Sequence, residues 1–219
     1  MVVGGSEAVL LPMFPLESAL LPNEDLPLQI FEPRYTALVH DRLRSGDPRF
    51  GVVLISRGRE VGGEDERCDV GALASIVECV DLGSGRYRLR CRTGGRIRVC
   101  EWLPDDPYPR AKVRDWPDEP GESVTAGQLR ELEARVLALF ERIAAARGVA
   151  PPAREALLGC GNAPVDAGAR LYALASRVPI GPADRYAVLS APSAAQRLAA
   201  LSDAVDTVTA MVDFRLSDD

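Results

Sequence analysis

Between Ala8 and about Trp116 the apolar residues come in short runs, often alternating with polar ones and broken by Gly and Pro, which is the period of half-buried strands. Seven strand candidates follow: Val9 to Met13, Leu26 to Phe31, Phe50 to Ser56, Val70 to Val80, Arg86 to Arg92, Arg96 to Leu103 and Arg110 to Trp116. Their spacing is that of a barrel or sandwich. Leu82-Gly83-Ser84-Gly85 and Gly94-Gly95 supply residues that tolerate positive φ, so they predict hairpins between Val80 and Tyr87 and between Cys91 and Ile97. A meander through residues 70–103 is the clearest β feature. One helix interrupts the strands. After Pro33, the residues Tyr35, Leu38, Val39, Arg42 and Leu43 recur at near-helical spacing until Ser45-Gly46 stops the pattern.

Residues 117–124 are polar and turn-forming, and beyond them the period becomes helical. Thr125 and Gln128 form a capping-box pattern, followed by Leu129, Leu132, Val136, Leu139 and Ile143 at 3-4-3-4 spacing up to Gly148. Ser193 and Gln196 open a second such helix, with the stripe Leu198, Leu201, Val205, Val208 and Val212, and the two stripes are expected to pack together. Pro152 to Leu158, Val165 to Arg177 and Pro182 to Ser190 read as shorter helices between them. The expected class is α+β: a β half with one inserted helix over residues 1–116, a linker over 117–124 and a helical bundle over 125–219.

Composition narrows the chemistry. Of 26 cationic residues only Lys112 is a lysine, and His40 is the single histidine, so a proton-shuttling imidazole or an activated amine can each come from one residue. Alternation in Ala111-Lys112-Val113-Arg114 turns Lys112 outward, and Asp41 next to His40 cannot face its ring from an adjacent helical position, so neither is expected to be catalytic. Five cysteines, without a C-x-x-C pair, argue against a disulfide framework or a zinc ribbon, and Cys160 in Gly159-Cys160-Gly161 reads as an incidental thiol in a tight turn. No metal or cofactor is expected. The N-terminus lacks the basic head and sustained apolar stretch of a signal peptide, and no apolar run approaches the ~18 residues of a membrane span. The expected location is the cytoplasm, with no membrane partner.

Net charge is −6, which gives no long-range pull toward nucleic acid, yet Arg86, Arg88, Arg90 and Arg92 alternate onto one strand face. Arg96 and Arg98 are expected to extend that face across the hairpin. Glu78, Asp81 and Glu101 lie near enough in sequence to neutralise part of it, and no aromatic interleaves with the arginines on the same face for base stacking.

Three N-terminal segments arrive in order: Leu11-Pro12-Met13-Phe14-Pro15-Leu16, then Leu21-Pro22, then Leu26-Pro27-Leu28-Gln29-Ile30-Phe31-Glu32-Pro33-Arg34-Tyr35. With Phe50 to Ile55, Val70-Gly71, Gly85-Arg86-Tyr87, Gly95 to Val99, Pro107-Tyr108-Pro109, Pro179-Ile180, Asp184-Arg185, Leu189 and Gln196-Arg197-Leu198, they resemble the Lon protease N-terminal substrate-binding domain over residues 8–216. The resemblance implies a PUA-like barrel followed by a helical half. It also implies a non-catalytic module that captures unfolded or extended polypeptide segments, as an adaptor for proteolysis with a protease as partner. No G-x-x-x-x-G-K-[ST] loop is present, so ATP hydrolysis is not expected.

The candidate polypeptide-binding residues are Phe31, Glu32, Arg34 and Tyr35, at the corner leading into the first helix. Glu32 is expected to accept hydrogen bonds from the helix's first N–H groups, with Pro33 at the first helical position and Arg34 and Tyr35 presented beside apolar loop residues. Strand-edge hydrogen bonding would add to apolar contact. The alternative reading, suggested because PUA-like barrels elsewhere bind RNA, is an RNA or nucleotide binder using Arg86, Arg88, Arg90, Arg92, Arg96 and Arg98.

Overall fold

The computed structural model describes residues 7–57, 66–158 and 166–217, and the chain divides into two compact units, Met1–Pro117 and Asp118–Asp219. In the first unit the strands are β1 (Val9–Leu16), β2 (Asp25–Ile30), β3 (Arg49–Arg57), β4 (Glu66–Gly83), β5 (Arg86–Leu103) and β6 (Arg110–Asp115), with helix α1 (Pro33–Ser45) after β2. Their order in the sheet is β2-β5-β4-β3-β1-β6, and a further β5–β6 pairing closes it into a ring. Among the described strand pairs only β1–β3 is parallel.

The length of β5 makes the closure. Opposite β4, its first part, Tyr87 to Arg92, carries β2, and its second part, Ile97 to Leu103, carries β6. β2 and β6 therefore lie end to end along one edge of β5, but only β6 pairs with β1, through Val9 to Pro12. Along Phe14 to Leu16, β1 pairs with β3 alone among the described residues, so β1 and β2 face a gap that no described strand fills.

Two expectations change here. The Leu82–Gly85 hairpin forms, with Gly83, Ser84 and Gly85 all at positive φ. Gly94-Gly95 makes no hairpin. The chain runs straight through it, so the strand candidates on either side are one strand and the sheet has six. The glycines instead form a bulge: Ala74 opposes Thr93 while Ala72 opposes Arg96, so β5 spends one residue more than β4. An extra residue swaps the faces of everything beyond it. Leu89 and Cys91 belong to one core cluster, shared with Phe14, Phe50 and the α1 residues Tyr35, Leu38 and Val39. Ile97 and Val99, past the bulge, belong to a second with Leu11, Met13, Val53, Ala111 and Val113.

Helix α1 starts and stops as the sequence predicts, with Pro33 at its first turn and Gly46 at φ 68° closing it. It is tied down by two adjacent side chains on different partners: His40 Nε2 lies 2.7 Å from the Tyr87 hydroxyl, and the Tyr108 hydroxyl donates to Asp41 Oδ2 at 2.7 Å.

The second unit consists of α2 (Ala126–Arg147), α3 (Arg154–Leu158), α4 (Ala167–Ala175), α5 (Pro182–Ser190) and α6 (Ala194–Ser217). The Thr125/Gln128 capping box is complete, and Gln196 N–H donates to Ser193 Oγ at 3.3 Å. Leu132, Val136 and Leu139 of α2 and Leu201 and Val205 of α6 are buried, as their 3-4 stripes require. Arg135 of α2 donates to the Ser202 carbonyl of α6 at 3.0 Å. Val165 and Gly159-Cys160-Gly161 lie outside the described residues.

Candidate functional site

Where β2 ends and α1 begins, the chain turns through Phe31-Glu32, and a cleft of about 340 Å³ opens beside the turn. That volume is at the small end of the ~300–1,000 Å³ typical of ligand clefts. Its floor is apolar, made by Phe14 of β1, Ile30 of β2 and Tyr35 of α1, and its rim carries Glu17, Gln29, Phe31 and Glu32. The cleft thus lies at the mouth of the gap between β1 and β2.

The four predicted corner residues have different fates. Phe31 is 61% exposed, a large apolar side chain held in water at the rim. Tyr35 is not presented as expected: it is buried, with its ring stacked on Phe14 at 4.1 Å, so it forms cleft floor rather than surface. Arg34 lies along the outside of that ring, 4.5 Å from its centroid, and its Nε donates to Glu32 Oε2 at 3.1 Å. Glu32 makes no side-chain cap on α1, contrary to the sequence expectation. Its backbone carbonyl accepts from Tyr35 and Thr36, while its carboxylate turns to Arg34, a charge-assisted bond stronger than one to a neutral N–H. Phe14, Glu17, Gln29 and Ile30 are not among the binding residues that the sequence predicts. Alternation in β2 is the sequence signal that places Gln29 outward and Ile30 inward.

The arginine face is smaller than expected. Arg86, Arg88, Arg90 and Arg92 are exposed on one face, but Arg90 pairs with Glu78 and Arg92 with Asp25, both at 3.1 Å. Arg86 and Arg88 make no ion pair among the described residues. The bulge carries Arg96 and Arg98 to the opposite face, where they stand over the Trp116 ring at 4.3 and 5.1 Å, with Arg96 buried. They do not extend the strip.

Lys112 is half exposed and donates to Glu101 at 2.6 Å. Burial pushes the Cys91 thiol up to about 12 and also raises Cys79, which holds both as thiols rather than nucleophilic thiolates at neutral pH. Among the described residues no three His, Cys, Asp or Glu side chains group to hold a metal ion, and no helix is long and apolar enough to cross a membrane.

A family model for the ATP-dependent protease La (LON) substrate-binding domain matches residues 10–207. The chain belongs to the Lon substrate-binding domain family. Among Lon proteases, it is 27% identical to Lon protease 1 of Herpetosiphon aurantiacus over 206 residues, covering 90% of this chain and 24% of that protein. It is 32% identical to Lon protease 2 of Myxococcus xanthus over 126 residues, covering 57% of this chain and 14% of that protein. The chain therefore spans a quarter or less of these relatives, and the matched part is the Lon N-terminal domain, with no ATPase or protease domain matched. Among solved structures, the Lon N-terminal domain protein from Xanthomonas campestris superposes with a TM-score of 0.61 at 27% identity, covering 89% of this chain and 98% of that one. The N-terminal domain of the Mycobacterium avium complex Lon protease shares the fold at 15% identity, with a TM-score of 0.60 and coverage of 90% and 98%. The six-stranded mixed sheet followed by helices is thus the Lon N-terminal fold.

Proposed function

We propose that this Lon-family domain binds polypeptide without cleaving it, capturing exposed apolar segments of unfolded or extended chains at the cleft between β1 and β2. The observation that carries this reading is Phe31, 61% exposed at the rim of a cleft with an apolar floor, in a chain of the Lon substrate-binding family. An exposed aromatic beside a preformed apolar floor is the arrangement that anchors a partner's side chain. Segments held there would be passed to a protease, for which the module serves as an adaptor.

The test is capture of a permanently unfolded protein, followed by fluorescence anisotropy, by wild type and by Phe31→Asp. Phe31 is mostly in water, so the variant keeps its core, and its affinity should fall at least ten-fold. Equal affinity for both proteins would remove the cleft from the mechanism. The RNA reading is left with Arg86 and Arg88, which make no ion pair among the described residues.

A further inference from the structure

We infer that the bound segment adds to the outer edge of β2 as a strand, and that the site selects an acidic residue flanked by apolar ones, the acid opposite Gln29. This rests on the peptide-binding reading above and specifies its geometry and its sequence preference.

Among the described residues β2 is bonded on one side only, to β5. Its phase against β5 follows from two observations. Thr93 N–H donates to the Glu24 carbonyl at 2.9 Å, just before β2, while Glu24 N–H turns to Thr93 Oγ1 at 2.8 Å; the carbonyl bond points Glu24 toward β5, and alternation from it makes Leu26–Cys91, Leu28–Leu89 and Ile30–Tyr87 the hydrogen-bonded pairs. Pro27, which has no N–H to give, falls on the alternate set, where a proline is tolerated at a sheet edge. Asp25, Pro27 and Gln29 therefore direct their backbone groups away from β5. The free edge offers the N–H and C=O of Asp25 and of Gln29 and the C=O of Pro27, on the side where the gap toward β1 and the cleft lie.

An added strand would sit ~4.8 Å from β2 and place alternate side chains on opposite faces. On the buried-side face its residues meet the cleft floor of Phe14, Ile30 and Tyr35. On the other face the residue opposite Gln29 shares a row with Arg88, Gln29's partner on β5. That guanidinium is exposed and has no ion pair among the described residues, and at about 10 Å across two strand spacings an arginine and a carboxylate side chain reach each other. Four residues along, the row belongs to Asp25 and its partner Arg92, already paired at 3.1 Å, so a second acid there is disfavoured and a cation is accepted. The preferred pattern is apolar-acid-apolar with no acid four residues away on the Asp25 side.

The experiment uses the full chain and labelled heptapeptides: Leu-Lys-Leu-Ser-Leu-Asp-Leu, its reverse, a same-composition block peptide Leu-Leu-Leu-Leu-Ser-Lys-Asp, and a form with Lys in place of Asp. At least one direction of the alternating peptide should bind ten-fold or more tighter than the block and Lys forms. Arg88→Glu should invert the preference between Asp and Lys. N-methylation of alternate peptide amides should abolish binding in one phase and spare it in the other. Equal loss in both phases, or equal binding of the block peptide, overturns strand addition while Phe31-dependent capture of unfolded protein leaves the function standing. If neither peptides nor unfolded protein bind, both readings fall. An unchanged Asp-over-Lys ratio in Arg88→Glu overturns the selectivity.

Discussion

At the residue scale, the most demanding side chain is Arg197, fully buried in the helical unit. Its Nη1 donates to Asp118 Oδ2 at 3.0 Å, from 79 positions away, and its guanidinium lies 3.8 Å from the Tyr172 ring centroid. A guanidinium taken out of water is held by such partners or not at all, so removing the carboxylate leaves the charge uncompensated. Asp118→Ala is expected to cost about 3 kcal/mol in urea unfolding, the lower end of the ~3–5 kcal/mol for broken buried pairs, because Asp118 itself keeps part of its surface in water. Gly168, inside α4, sits against the same pair: an added Cβ would lie 2.6 Å from Asp118 Oδ2 and 2.7 Å from Arg197 Nη1. Gly168→Ala, which would raise helix propensity by about 1 kcal/mol, should instead lower stability by ~1–2 kcal/mol. A raised urea midpoint would show that the pair yields freely. Arg197 lies beside Gln196 in a recognisable segment, but its burial depends on a carboxylate 79 positions away in the chain and is not written in the local pattern. For the same reason Tyr35 could be placed on α1 by its spacing, while its burial under Phe14 could not.

At the scale of elements, what was legible is what is local. The first turn of α1 at Pro33, its end at Gly46, and the Thr125 capping box are decided by residues three or four apart, and each stands where the sequence predicts it. Closure of the sheet by one 18-residue strand was not legible, because a Gly-Gly pair serves a hairpin or a bulge equally well and only the partner strand decides. That single residue explains why the arginine strip is shorter than its spacing suggested. The cleft was half legible: its exposed corner came from the chain turn, whereas its floor needs β1 beside β2. Docking of α1 onto the sheet is also a long-range event, and it makes stability depend on pH. Tyr108 is buried and donates to Asp41, and these two causes push its hydroxyl up to about 12. A tyrosine raised in the folded state contributes fully below its ordinary pKa of ~10 and loses that contribution as pH climbs toward 12. Urea midpoints of the wild type should fall across that window. Tyr108→Phe should start about 1 kcal/mol lower at pH 7, from the lost hydrogen bond, and fall less steeply in alkali. Parallel curves would mean that Tyr108 is not the group that titrates.

At the scale of the whole molecule, a net charge of −6 and an arginine strip on one strand make opposite demands on partners, and the ion pairs decide between them. Six arginines on one face would neutralise about six phosphates of a single strand, giving a log–log salt slope near −4 at ~0.7 per phosphate. The structure removes Arg96 and Arg98 to the other face and pairs Arg90 and Arg92, leaving on the strip, among the described residues, two arginines without an ion pair and a slope near −1.4. An acidic domain with two such contacts should bind RNA no better than the weak end of non-specific affinity, ~10⁻⁴ M at physiological salt. A peptide strand draws on backbone hydrogen bonds and apolar burial, which salt does not screen, and needs only one carboxylate near Arg88. Anisotropy titrations of a labelled single-stranded RNA and of the alternating peptide, run through the same salt series, therefore separate the partners. The peptide should lose only a few-fold in affinity between about 50 and 500 mM salt, and the RNA should show no saturation. Micromolar RNA binding with a slope near −3, about four phosphates at ~0.7 each, would mean that the Arg90 and Arg92 ion pairs open to nucleic acid and that the basic strip, not the cleft, is the working surface of this domain.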